Sequence, residues 1–396
     1  MIDAPGPWGT GPFTLVEGYS SISTRNAIMK ADPYTCTWLI ESEDRSPRLV
    51  LEANRNHWNH ERVPRLERVV FRADLSAVDA LEACISGDGE VDIVTEVSPA
   101  DAARVKASEH ANLLTFDANR VLVGIINRYP SDVPLGDARV RRALNLAVDR
   151  DKLIAQGLGG YANPLHALTP AWYDSLPRDA KPYPHDPDQA KRLLDEAGWP
   201  RERPLRIAAP EPFMGLAQMI AADIEAALGI ATVVTTISNP EMRAAIEKKL
   251  PPACDVLLHG WFDLSSEAPP AAVHREFFGA DGAFRVGPEL PEFDHLYAEM
   301  TVQLDGATRG EVAGRIDTYA YDEALALFLC APQALYAVNK HVQFNAYRTT
   351  PNWLRPPSTR GTGPAGTGPA RQRPRHRSPR RADRAPRVST ALAVNC

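Results

Sequence analysis

Val140-Arg141-Arg142-Ala143-Leu144-Asn145-Leu146-Ala147-Val148-Asp149-Arg150-Asp151-Lys152-Leu153-Ile154 is followed along the chain by Asp186-Pro187-Asp188-Gln189-Ala190-Lys191-Arg192-Leu193-Leu194-Asp195-Glu196-Ala197-Gly198. Each run reads as an amphipathic helix with a legible start. Asp137 is placed to cap the first, and Val140, Ala143, Leu144 and Ala147 fall at the spacing of one apolar stripe. Asp186 caps the second, with Pro187 at the first helical position and Gln189 where a capping-box partner belongs. Ala190, Leu193, Leu194 and Ala197 then form its stripe before Gly198 and Pro200 stop it. Neither run carries catalytic chemistry, so both read as packing elements.

Beyond the second helix the hydrophobic period switches repeatedly. Leu205 to Ala209 reads as a strand. Leu216, Met219, Ile220, Ile224, Ala227 and Leu228 recur at helical spacing, with Gly229 placed for a left-handed cap. Ala231 to Ile237 is the next strand, Asn239 and Pro240 open a helix to about Leu250, and Cys254 to Leu258 is a third strand. This β-α-β-α-β order predicts a mainly parallel α/β unit, whose ligands sit outside the carboxyl ends of the strands. Upstream, strands at Arg65 to Arg72, Val91 to Thr95, Leu113 to Phe116 and Val121 to Ile126 alternate with helices at Ser76 to Cys84 and Pro99 to Ala107. They make a second α/β unit, joined to the first by the polar, proline-containing stretch Asn127 to Pro134.

A chain of 396 residues, 44% hydrophobic, is long enough for two or three domains with sizeable cores. Its net charge of −6 hides an asymmetry, because Arg355 to Cys396 holds ten arginines against one aspartate. That tail, rich in Arg, Pro and Gly, has too little apolar content to offset the entropy of ordering and is expected to be disordered. An arginine-rich segment can bind nucleic acid or an anionic membrane by counterion release. This one has no aromatic residue, lysine or helical stripe, and reads as a solvated extension with no evolved role, or even a shifted reading frame of a GC-rich gene. The five cysteines, Cys36, Cys84, Cys254, Cys330 and Cys396, are scattered without a C-x-x-C, so neither a zinc ribbon nor a disulfide framework is indicated. No signal peptide is visible at the N-terminus, and Ala324 to Val338 is too short and too interrupted to span a bilayer.

Three places invite chemistry. His57, His60 and Glu61 suggest a metal, but they follow a strand-like Leu49 to Glu52 in a polar loop, with no distant Cys or His cluster to complete a site. Gly9-Thr10-Gly11-Pro12-Phe13 lacks phosphate-loop spacing, and Pro12 removes a backbone donor, so it reads as a turn feeding the strand Phe13 to Val16. No G-x-S-x-G or H-E-x-x-H occurs, and no enzyme, cofactor or metal is indicated. Gly260-Trp261-Phe262-Asp263 is the best candidate site: an indole and a carboxylate just past the third strand, suited to cover a ligand side chain and to receive an ammonium group. The alternative is Trp261 packed in the core beside a capping Asp263.

Gly9-Thr10-Gly11-Pro12-Phe13, Leu51 to Trp58, Pro64 to Arg72, Ala80 to Ile93, Asp137 to Ile154, Tyr183 to Gly198 and Pro291-Glu292-Phe293-Asp294 occur in that order. Together they resemble family 5 of the extracellular solute-binding proteins, the dipeptide, oligopeptide and nickel receptors of ABC importers. The resemblance runs from about Trp8 to Trp353. It implies an α/β, two-lobed periplasmic-binding-protein-like fold of the type II, peptide-binding class, with a hinge. Lobe one would comprise residues 1–126, incomplete, with a return at 327–354; lobe two would be 127–326, and 355–396 the tail. It further implies a monomer in the periplasm or cell envelope, capturing a peptide-like or small polar solute for a membrane permease, with no nucleic-acid partner. Trp261 and Asp263 match the family's Trp-x-Asp or Trp-x-x-Asp segment, whose carboxylate holds a ligand amine in peptide-binding members. Two features depart from the pattern. The family's opening third, with its leader segment and first strands, has no counterpart, and Glu267-Ala268-Pro269 replaces a second Asp-Pro, with no arginine between Pro210 and Glu225 to hold a ligand carboxylate. A free dipeptide is accordingly disfavoured as ligand. Two further readings stay open: a ligand-sensing domain of a transcriptional regulator, and a truncated, inactive receptor fragment.

Overall fold

In the computed structural model the described residues are 9–18, 20–22, 31–32, 37–38, 43–87, 90–118, 120–169, 181–238, 254–262, 272–282, 284–345 and 389–393. The expected helix from Asn239 to Leu250 lies outside them. The chain opens with β1 (Phe13–Glu17), two small hairpins, β2 (Ser20–Ile22) with β5 (Glu43–Arg45) around β3 (Ala31–Asp32) with β4 (Thr37–Trp38), and β6 (Arg48–Ala53). It continues through β7 (Arg68–Arg72), α1 (Ala77–Ile85), β8 (Ile93–Val94), α2 (Ala102–Ala107), β9 (Ala111–Asp117) and β10 (Arg120–Ile126). Then come α3 (Ala138–Ala147), β11 (Ala162–Pro164), α4 (Pro187–Glu196), β12 (Leu205–Ala209), α5 (Met214–Leu228), β13 (Thr232–Thr236) and β14 (Val256–Phe262). The last elements are α6 (Ala272–Phe278), α7 (Pro291–Thr301), α8 (Gly306–Asp322), β15 (Ala326–Asn339) and β16 (Ser389–Ala393).

One sheet carries the fold, in the order β1-β6-β7-β16-β8-β15-β10-β14-β12-β13, with β9 and β11 also on β15. β12 pairs in parallel with both β13 and β14, as the alternating pattern predicts, and the sheet turns antiparallel at β14–β10 and β10–β15. Around β10 it is covered on both faces. Leu122 and Ile126 join the core made with α3, α4 and α5, whereas Val121, Val123 and Ile125 join the core made with α6, α7 and α8. Successive residues of a strand point to opposite faces, so a near-continuous apolar run such as Val121 to Ile126 belongs to a strand buried on both sides. This packing ties β10 to the helices that follow it in sequence. A third core, built from α1, α2, β8 and the far end of β15 (Leu335, Ala337), lies beyond it. β15 thus pairs with β10 over its first residues and with β9 over its last.

The helix caps form as read. The Asp137 carboxylate accepts the N–H of Arg139 and that of Asp186 accepts the N–H of Gln189, while Gly229 ends α5 at φ 65°. Val140, Ala143, Leu144 and Ala147 are fully buried. The run from Val140 to Ile154 is nevertheless two helices. Val148 is extended, and the carboxylate of Asp149 accepts the N–H of Lys152 at 2.9 Å, starting a short second helix whose end, Leu153–Gly157, is π-wound. An aspartate that caps its own downstream turn competes with continuing the upstream one. The tail expected to be disordered contributes one strand, β16, between β7 and β8; residues 346–388 lie outside the described set.

Candidate functional site

The carboxyl ends of the parallel strands β12 and β14 lie together. After Ala209 the chain turns through Pro210 into a 3-10 turn, Glu211–Phe213, that leads directly into α5. The Phe213 ring is seated against Gly260: a Cβ at residue 260 would lie 3.2 Å from the ring, so the absence of a side chain is what admits it. Trp261 follows, opposite Val121, and Phe262 is opposite Arg120. The sequence-predicted indole is therefore carried at the carboxyl end of β14, where the strand order also brings in the start of β10 and, through the Leu122–Cys330 and Cys330–Pro164 pairs, β15 and β11. The backbone alone places Trp261, and Asp263 lies outside the described residues.

Next to this end β15 changes partner, from β10 and β11 to β9. Asp117, the last residue of β9, accepts hydrogen bonds from Asn163 Nδ2 at 3.0 Å and Gln333 Nε2 at 3.1 Å. The Gln333 N–H donates to the Tyr161 carbonyl, and the ammonium of Lys106 from α2 sits 5.2 Å from the centre of the Tyr161 ring. One carboxylate thus ties β9, β11 and β15 together where they meet. Periodicity could not have revealed it, because the three residues are polar and far apart in sequence.

The remaining titratable clusters are structural. Asp255, at the opposite end of β14, is fully buried, and burial would raise its pKa. Hydrogen bonds from Arg203, Arg206 and the Arg206 N–H outweigh burial and hold it below the usual carboxylate range. Asp317 on α8 accepts the N–H groups of Leu168 and Thr169 and faces His274 Nε2 at 3.1 Å, anchoring the loop after β11 and the helix α6 to one point. Cys84, Cys254 and Cys330 are buried free thiols, pushed up by burial to about 11, 12 and 12, too high to supply a thiolate at neutral pH.

His57 is buried with its two ring nitrogens at 2.9 Å from the Asn59 and Thr10 carbonyls, so it serves the loop rather than an ion. Trp58 Nε1 donates to the same Thr10 carbonyl, and the Asn54 N–H to that of Pro12. The Gly9–Phe13 turn, which feeds β1, and the Asn54–Trp58 turn are two halves of one clamp. Among the described residues no group of three or more His, Cys, Asp or Glu is arranged to hold a metal ion, and no helix is long and apolar enough to cross a membrane.

A mixed sheet covered by helices on both faces, continued through paired crossings into a second α/β unit, defines the two-lobed class of binding proteins. Residues 4–278 match the model of the bacterial extracellular solute-binding proteins, family 5, and the chain belongs to that family. A probable di/tripeptide-binding protein of Pseudomonas aeruginosa is 30% identical over 301 residues, covering 71% of this chain and 55% of the relative. The structure is similar to the substrate-binding protein CtaP of Listeria monocytogenes, with TM-score 0.67, 18% identity and coverage of 84% of this chain and 62% of that one. It is also similar to DppA of Helicobacter pylori in complex with the peptide STSA, with TM-score 0.62, 18% identity and coverage of 85% and 60%. The chain spans about half the length of the curated relative and three-fifths of the solved structures.

Proposed function

We infer that this chain works as the substrate-binding component of an ABC importer, capturing a peptide-like or other small polar solute between two lobes and presenting it to a membrane permease. The observation that carries this reading is the position of Trp261 at the carboxyl end of β14, beside the crossings between the units, in a chain of the solute-binding family 5. A ligand placed there touches one unit while the other closes on it. Closure shifts a population by differential affinity and makes no bond, so no catalytic group is required. In this reading Trp261 covers a ligand side chain and Asp263 receives its ammonium group. The lobes divide close to 118–119 and 331–333, where β10 leaves β9 and β15 changes partner. The protein acts as a monomer in the periplasm or cell envelope, and the name of the Pseudomonas relative favours a short peptide over a metal or a sugar.

The test is titration calorimetry with a panel of di- to pentapeptides and opines, paired with small-angle scattering. Saturable binding with a smaller radius of gyration in the bound state is the expected result. Binding of none of the panel, or binding with unchanged dimensions, would sink the reading.

A further inference from the structure

β7, α1 and β8 form a crossover unit whose two strands run in the same direction but do not pair with each other. One strand's width is left between them, and both facing edges hydrogen-bond to β16 instead, Ser389–Ala393 against Arg68–Arg72 and Leu392–Ala393 against Ile93–Val94, all in parallel. The outer edges are occupied by β6 on β7 and β15 on β8. The walls of the gap are apolar and buried: Val69, Val70, Ile93 and Val94 line the two strands, and Ala80, Leu81 and Cys84 of α1 join Val94 in the same core. Without an insert, two rows of peptide groups would face each other about 10 Å apart, twice the spacing of paired strands and too far to bond. Buried backbone N–H and C=O groups are rarely left unpaired, so the gap demands a strand.

We propose that the gap between β7 and β8 is a strand-accepting site for a short extended segment of small and apolar residues, and that Ser389–Ala393 occupies it as an exchangeable insert. Three observations separate an insert from an integral strand. The ladder is short, five residues on one side and two on the other. The segment begins 50 residues after the end of β15 (389 − 339), too far along the chain for a tight turn to fix its register. Val388-Ser389-Thr390-Ala391-Leu392-Ala393-Val394 is also the one proline-free, arginine-free run of that length carrying β-branched and aliphatic residues after Arg355, the composition a buried central strand requires. Recognition of this kind rests on main-chain hydrogen bonds, with residue size as the filter, so a free peptide of the same sequence can compete.

The experiment uses the full chain and a synthetic peptide of residues 387–396 carrying Cys396→Ser. In Ala391→Pro the substitution removes a donor opposite Val70, and amide exchange at 68–72 and 93–94 should accelerate at least tenfold while β12 and α5 exchange as before. Added peptide should restore the protection, and a labelled peptide should bind Ala391→Pro at least tenfold more tightly than the unaltered chain, whose own segment competes. Ala391→Val should behave as the unaltered chain. Unchanged exchange in Ala391→Pro would show that the segment does not fill the gap, and lost protection that peptide cannot restore would show an integral strand. Should the proline variant unfold globally, the unaltered chain decides: excess peptide must accelerate exchange at 389–393, and failure to do so overturns the proposal.

Discussion

The side chain of Asn145 stands in for a neighbouring strand beside Phe328: its Oδ1 accepts the Phe328 N–H at 3.0 Å, and its Nδ2 donates to the Ala326 carbonyl at 2.9 Å. In an antiparallel ladder alternate residues turn their peptide groups away from the partner strand, and on β15 those groups would be buried with nothing to bond. Arg150 completes the arrangement, donating through Nε to the Phe328 carbonyl at 2.6 Å and through Nη2 to Asn145 Oδ1 at 3.1 Å. Its other partners are the Asn145, Val148 and Tyr183 carbonyls, and burial pulls the guanidinium down to about 10. Asn145→Leu keeps the volume but strands two buried peptide groups. It should cost about 2–4 kcal/mol in urea unfolding. A loss below 1 kcal/mol would mean that water reaches this edge of β15.

Gly124 predicts a steric effect on the same strand set. A Cβ there would meet Val256 Cγ1 at 2.7 Å and Leu327 Cβ at 3.0 Å, because β10 is flanked by β14 and β15 and covered on both faces. Gly124→Ala should therefore destabilise by about 1–3 kcal/mol through overpacking. Gly136, with no atom within 4 Å of an added Cβ, is the control, and Gly136→Ala should leave the melting temperature within a degree or two.

His259 predicts the pH dependence of stability. Its ring is buried 5.5 Å from that of Phe277, and burial pushes its pKa down to about 3. The unfolded chain binds a proton at this residue near pH 6.5, whereas the folded chain does not until about 3, so stability falls as pH drops from 6.5 towards 3. At pH 5 the contribution is about 2 kcal/mol. Asp255 acts in the same sense only below about pH 4, where a free aspartate protonates, and its depressed pKa carries the loss further down. Between pH 6.5 and 4.5 the difference in unfolding free energy between the unaltered chain and His259→Leu should thus change by about 2–3 kcal/mol, and a constant difference would show that His259 titrates normally in the fold.

The elements that sequence made legible are those whose apolar period and caps are local. α3 and α4 start at Asp137 and Asp186, α5 stops at Gly229, and β12 and β13 follow β-branched or aliphatic runs. What stayed hidden depends on partners distant in sequence. Arg141, Asn145 and Arg150 look like the polar face of an amphipathic run, yet all three are buried because they bond the carbonyls and amides around β15. The break at Val148 was hidden for a local reason, since the identity of Asp149 does not distinguish a helical position from the cap of a new turn. Asp117, Asn163 and Gln333 converge only through strand pairing. At the candidate site, the sequence pattern ends the strand at Leu258 and puts Trp261 just past it, whereas β14 runs on to Phe262 and holds Trp261 within its last residues, because the pairing with β10 continues to Arg120.

The carboxylate of Asp263 provides the sharpest test of ligand chemistry. If it receives a ligand ammonium, then for a peptide that binds the chain, Asp263→Asn removes the charge but keeps the shape and should weaken binding by about 2 kcal/mol, or roughly thirtyfold. N-acetylation of the same peptide removes the other half of the pair and should cost the unaltered chain a similar amount. The two losses must not add: the acetylated peptide should bind Asp263→Asn and the unaltered chain almost equally, because the interaction is already gone. Additive losses in calorimetry would place the ligand amine elsewhere. Trp261→Ala should weaken both peptides alike, since an indole covering a side chain is indifferent to the charge of the amine.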